Sequence, residues 1–291
     1  MTTFLRPFAP PTLPGLPADD LARLLREWWP GADIERAVTG TGVEIVGVRV
    51  PAERALDAWE LGRRAHGETG WWPYATSASP CGEARYQDEA DLDPAAWQRT
   101  VAELAVQDHD ALAASVVVSS FRWSVGGLPA DDEDFLAWRD DYEPDRLAPL
   151  LAPSVAEPAR VPPKWGTTQT GREYRVSTRW VNFVTVRGGY ELPVLLPYLY
   201  NNMNWFGHDG RSLTRLDDAA LLRRWQEQWG AHLFFATGPY LELVVDRPPL
   251  DPRGAAQAAT ELYAYCGDTV QDAVQAGNGM ARSTVWSLWW D

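Results

Sequence analysis

Two kinds of residue in this chain have types and positions that could do chemistry. The first are carboxylates: Glu242 and Glu44 each stand second in an apolar strand-like run, and Asp268 follows Tyr265-Cys-Gly. A pair of these brought within about 5–10 Å could act as a general acid and base, the arrangement that glycoside hydrolysis requires. The second are aromatic rings. Trp71, Trp72, Trp205, Phe206, Tyr263, Tyr265 and Trp286 fall at or near the ends of expected elements, where rings could line a cleft and stack on a sugar, a base or a peptide. The competing reading places these rings in a core, with each indole N–H bonded to a backbone partner, and leaves the carboxylates solvated on outward strand faces.

Signatures of other chemistry are missing or broken. The four histidines, His66, His109, His208 and His232, are scattered, with no His-x-x-x-His pair, so no metal is expected. Gly166-Thr-Thr-Gln-Thr-Gly171 has the glycine spacing of a phosphate loop, but Arg172-Glu173 stands where Lys and Ser or Thr are needed to hold phosphate and magnesium. Gly277-Asn-Gly279 lacks the third glycine of a dinucleotide fingerprint, and no Gly-x-Ser-x-Gly elbow occurs. Cys81 and Cys266 could be nucleophiles only if folding brought a histidine to them; free cysteines are more often small buried hydrophobes. No cofactor is expected.

Charge points toward partners of one sign. Forty acidic residues against 26 basic give a net charge of −14, which disfavours nucleic acid and anionic lipid and favours a basic protein partner, solubility being the plainer use of such a surface. Prolines interrupt the N-terminal residues where a signal peptide needs an apolar run, and no stretch of about 18 apolar residues occurs, so a cytoplasmic protein with no membrane span is expected. Two isolated cysteines fit a reducing compartment. The lead expectation is therefore a non-catalytic acidic binding protein, of the immunity type that neutralises a cationic protein. The alternative is an enzyme or small-molecule binder whose aromatic, carboxylate-bearing pocket is built from Trp71, Trp72, Trp205, Glu242, Tyr265, Asp268 and Trp286.

The elements that must position these residues alternate along the chain. A proline-punctuated arm precedes an amphipathic helix carrying Leu21, Leu24, Leu25 and Trp28, which stops at Pro30-Gly31. Val43–Val50 reads as a strand, and Pro51 opens a helix that Gly67 ends. A strand at Trp71–Tyr74, a loop at Pro80-Cys81-Gly82 and a helix from Pro94 to Ala105 follow. Asp131–Asp145 reads as a short solvated helix or acidic loop, and 144–166 as a proline-rich connection. Strands are expected at Tyr174–Val186 and Leu192–Leu199, then a helix capped by Thr214-x-x-Asp217 and closed at Gly230. A hairpin of His232–Ala236 and Tyr240–Asp246, a helix after Pro248-Pro249 and a terminal strand from Thr284 complete the chain. Together these predict an α+β fold with a mixed, partly antiparallel sheet layered with helices. The expected regions are an N-terminal arm and helix (1–40), an α+β region (41–145) and a C-terminal domain (170–291) that could share its sheet.

Leu222-Arg-Arg-Trp-Gln-Glu-Gln-Trp-Gly-Ala-His232, Tyr240-Leu-Glu-Leu-Val-Val-Asp-Arg-Pro-Pro249, Tyr263-Ala-Tyr-Cys-Gly-Asp268 and the terminal Trp289-Trp-Asp291 together resemble a bacterial family classed only as a domain of unknown function, serial number forty-two fifty-three. The resemblance covers about residues 170–291, and Glu68-Thr-Gly-Trp-Trp-Pro73 is similar to a stretch that precedes that domain. Gly267 and Leu288 depart from the family, which usually has a proline and an aromatic at those places. The resemblance implies a bacterial cytosolic protein of actinobacterial type. It brings no catalytic residues with it.

Overall fold

A computed structural model describes residues 15–89, 93–124, 143–163, 178–202, 205, 207 and 210–290. The fold is α+β, with ten helices and a seven-stranded mixed sheet among the described residues. The strands are β1 (Ile34–Val38), β2 (Glu44–Pro51), β3 (Trp71–Thr76), β4 (Thr178–Thr185), β5 (Ala231–Thr237), β6 (Tyr240–Val245) and β7 (Val285–Trp289), in the order β1-β2-β4-β3-β5-β6-β7. β1 with β2, β2 with β4, β4 with β3, and β6 with β7 are antiparallel, whereas β3 and β5 are parallel.

The chain forms two compact units that alternate along its length. The first draws on the described parts of 1–106, 167–200 and 234–237, the second on those of 107–166, 201–233 and 238–291.

In the first unit, α1 (Ala18–Trp28) buries Leu21 and Leu25, and α2 (Ala55–Thr69) buries Trp59, whose ring meets Phe234 edge-on at 5.4 Å. α2 runs past Gly67 and stops at Gly70, because the left-handed turn that ends it (φ 72°) is one that a glycine adopts without a Cβ clash. Pro80-Cys81-Gly82 is not a loop but the first turn of α3 (Pro80–Glu89), where a proline costs no helical hydrogen bond. α4 (Pro94–Leu104) follows as expected, capped by Asp93. Leu192–Leu199 is not a strand: Leu192–Leu195 forms a short helix, α7, in which Pro193 occupies the first turn, a residue that would have removed a donor from any ladder.

In the second unit, α5 (His109–Ser124), α6 (Pro144–Leu147), α8 (Arg215–Trp229), α9 (Pro252–Tyr265) and α10 (Ala273–Asn278) accompany β6 and β7. α8 starts on the expected capping box, with Thr214 and Asp217 bonded reciprocally, and ends at Gly230. Its Trp225 is fully buried with Tyr265 and Trp286 edge-on at 5.3 and 5.7 Å, the centre of this unit's core. Residues 131–142 of the expected acidic stretch, 164–177 with the glycine-spaced loop and the start of the Tyr174 strand, Phe206 and Asp291 lie outside the described residues.

Candidate functional site

The aromatic candidates are built into the two cores. Trp71 is 2% exposed and its indole N–H donates to the Leu16 carbonyl at 2.8 Å; Trp72 is buried with its ring edge-on to His66 at 5.1 Å. Both belong to the first unit, and Trp205, Glu242, Tyr265, Asp268 and Trp286 belong to the second. Trp205 donates to the Ala264 carbonyl at 2.7 Å. Tyr265 and Trp286 are brought together on Trp225, with Trp229 adding a ring to Trp286 at 5.4 Å. Glu242 is 2% exposed and accepts from the Ser287 hydroxyl on the neighbouring strand at 3.1 Å. Glu44 is half-buried and paired with Arg36 at 2.7 Å, and Asp268 is half-buried just past the end of α9.

The polar chemistry of the second unit centres on α8. Asp218 is fully buried and accepts from Asn202, Tyr265 and Arg215, each at 2.8 Å. Burial raises its pKa, and the Arg215 guanidinium works against that rise. About two turns further along α8, Glu261 accepts from the Trp225 indole at 2.8 Å and from Arg224 Nε at 2.9 Å, while Arg224 also reaches Asp110 at 3.4 Å.

Glu261 and Arg224 line a groove of about 280 Å³. Its apolar wall is a stripe on α5, Ala114, Val117, Val118 and Phe121, spaced i, i+3, i+4, i+7, faced by Pro144 and by Thr260 of α9. Phe121 is buried and stacked on Tyr263 at 6.0 Å, whereas Val118 is 53% exposed.

A second polar site, which sequence reasoning missed, lies in the first unit. Strand register aligns Glu35, Gly47, Asn182 and Tyr74 as one row across β1, β2, β4 and β3, so their side-chain positions share a face. The N-terminal turn of α3 sits on that row. A Cβ on Gly47 would lie 2.3 Å from Asn182 Oδ1 and 2.7 Å from Pro80 Cγ, so only glycine admits this approach. Asn182 donates to the Ala78 carbonyl at 3.3 Å. Glu83, buried on α3, accepts from Gln87 at 2.7 Å, and Gln87 in turn accepts from the Tyr198 backbone at 3.1 Å.

Burial pushes the Glu83 carboxyl from 4.5 up to about 7, leaving it poised between its two charge states at neutral pH. Tyr74 is raised further above the ordinary phenol range by its own burial and then by Glu83, with Asn182 acting in the opposite sense. Tyr74 Oη, Asn182 Oδ1 and Glu35 Oε2 are buried with no partner in hydrogen-bonding geometry. Cys81 has its thiol held up by burial and by the Glu35 carboxylate, so it is a weak thiolate and a poor nucleophile. The group poised near neutral pH is Glu83 on α3, beside but not part of the row. The row's members come from four strands spread between residues 34 and 185, and only the Glu83 and Gln87 spacing on one helix face gives a local signal.

Among the described residues, no group of three His, Cys, Asp or Glu side chains could hold a metal ion, and no helix is long and apolar enough to cross a membrane. No curated protein and no solved structure matches the chain. Its C-terminal part, residues 193–291, matches the family described as a domain of unknown function, DUF4253.

Proposed function

We propose that this chain is a non-catalytic binding protein whose partner is a cationic protein, in the manner of an immunity protein that caps a basic toxin. The observation that carries this reading is where the charges go. Several arginines are engaged by carboxylates of their own chain, Arg54 by Asp57, Arg215 by Asp218, Arg223 by Glu227 and Arg224 by Glu261, while Arg26, Arg64, Arg85 and Arg160 are exposed without one. Glu27, Glu53, Glu68, Glu103 and Glu157 stand exposed without such a partner, so the surplus of a −14 chain faces solvent. Such a field speeds encounter with a basic surface and repels an acidic one. The other reading, an enzyme or small-molecule binder, draws less from the geometry, because the indoles of Trp71 and Trp205 are spent on backbone carbonyls.

Affinity capture of the tagged full chain from its host's lysate, at low and high salt with mass-spectrometric identification, tests the proposal. A stoichiometric basic protein that elutes as salt rises is the expected result. Capture of a metabolite alone, or of a protein held equally well in high salt, would overturn it.

A further inference from the structure

We infer that α3 is a proton-controlled strap on the sheet: it lies closed over the row of Glu35, Gly47, Asn182 and Tyr74 while Glu83 holds a proton, and it lifts, with the rest of the first unit folded, once Glu83 gives that proton up. This goes beyond partner binding and does not rest on it. The first observation is how little apolar surface fastens the helix. Its buried side chains are Pro80, Glu83, Ala84 and Gln87, two small apolar groups and two polar ones, while Cys81, Arg85, Tyr86 and Asp88 are exposed. By contrast α2 buries Trp59 completely, and β3 buries all six of its residues. An element with so few buried apolar contacts opens at lower free energy than the core around it.

Hydrogen bonds supply the other fastenings. Asn182 donates to the Ala78 carbonyl just before α3 at 3.3 Å, the Gly40 N–H donates to Asp88 at 2.6 Å, and the Tyr198 N–H donates to Gln87 at 3.1 Å. Water can replace each of these when the helix lifts.

The third observation is the company Glu83 keeps. It is 4% exposed and bonded to Gln87 at 2.7 Å, and no cation among the described residues pairs with it. The titratable and charged side chains on the surrounding elements are Glu35 and Arg36 of β1, Glu44 and Arg49 of β2, Tyr74 of β3 and Tyr198, with Cys81, Arg85 and Asp88 on α3 itself. Arg36 is paired with Glu44, Arg49 with Asp33 at 3.6 Å, and Glu35 and Arg85 act on the Cys81 thiol. A carboxylate formed beneath α3 therefore meets no opposite charge, and lifting relieves it by admitting water. The same movement uncovers Asn182 and Tyr74, both 0% exposed when the strap is closed.

Closure raises the Glu83 pKa from 4.5 to about 7, so the closed state binds the proton more tightly; closure is strongest below pH 4.5, weakens as pH rises to 7 and then levels off. Between pH 6 and pH 8 the open fraction should rise about tenfold.

Hydrogen–deuterium exchange of the full chain at pH 6 and pH 8, resolved by residue and corrected for intrinsic amide rates, tests this without urea and in urea below the unfolding transition. The α3 amides of Ala84–Asp88 are expected to open more often than those of β4, with little urea dependence, and about tenfold more at pH 8 than at pH 6. In Glu83→Gln that tenfold rise should vanish. Exchange of α3 at the frequency and urea dependence of β4 would show that the helix opens only with the whole molecule and would overturn the proposal. So would α3 opening that is the same at both pH values, or a tenfold rise that survives Glu83→Gln.

Discussion

Replacing Glu83 with glutamine isolates the energetic cost of one buried carboxyl. Its folded pKa is raised from 4.5 to about 7, so the folded chain binds a proton more tightly than the unfolded chain does. The stability this contributes is fully present below pH 4.5 and is lost as pH rises through 7. At about 1.4 kcal/mol per unit, a rise of about 2.5 units amounts to about 3 kcal/mol of lost stability by pH 8. Glutamine keeps the acceptor for Gln87 and removes the buried charge. The Glu83→Gln protein is therefore expected to match the wild type near pH 4.5 and to exceed it by about 3 kcal/mol at pH 8. Urea titrations at half-unit pH steps measure this as a growing gap in midpoint at constant slope. Parallel pH profiles for the two proteins, or a less stable variant at pH 8, would refute the reasoning.

Gly47→Ala should destabilise by about 1–3 kcal/mol in thermal melts, since its Cβ collides with Asn182 and with Pro80, which is fixed in the first turn of α3. Tyr265→Phe removes one of three donors to buried Asp218 and is expected to cost about 1–3 kcal/mol in the same assay. Asp218→Ala, which strands Arg215 as well, should cost more, about 3–5 kcal/mol. Iodoacetamide applied to the native chain should label exposed Cys81, slowly at pH 7 because its thiol is held protonated. Buried Cys266, pushed up to about 11, should react only after unfolding, as peptide mass mapping would show.

Elements governed by local chemistry were legible in the sequence. The Thr214–Asp217 capping box, the helix it opens, its stop at Gly230 and the hairpin through Thr237-Gly238-Pro239 all stand where residue types place them. The mixed sheet layered with helices was legible too, and so was the family of the C-terminal part, although its matched stretch begins at residue 193 rather than near 170. α5 escaped notice because Val116-Val-Val118 reads as strand by propensity, and tertiary packing of Ala113, Val116 and Phe121 overrides that preference. Pro193 misled in the opposite way, since an apolar run around it passes for a strand until its missing N–H is counted. The row of Glu35, Asn182 and Tyr74 had no signal at all, because it exists only once β4 lies between β2 and β3.

That placement of β4 sets a schedule for the nascent chain. β2 and β3 are not neighbours; each waits for β4, which leaves the ribosome about a hundred residues after β3 ends at Thr76. At about 5–20 residues per second, two strands stand for about 5–20 s with unpaired edges, one of them, Trp71–Thr76, wholly buried in the finished fold. The interval is long beside the microseconds in which a hairpin closes. Synthesis of this chain thus exposes an adhesive strand for seconds, and its yield in cells should depend on how well chaperones shield that strand until residue 185 has emerged to cover one edge and residue 237 the other.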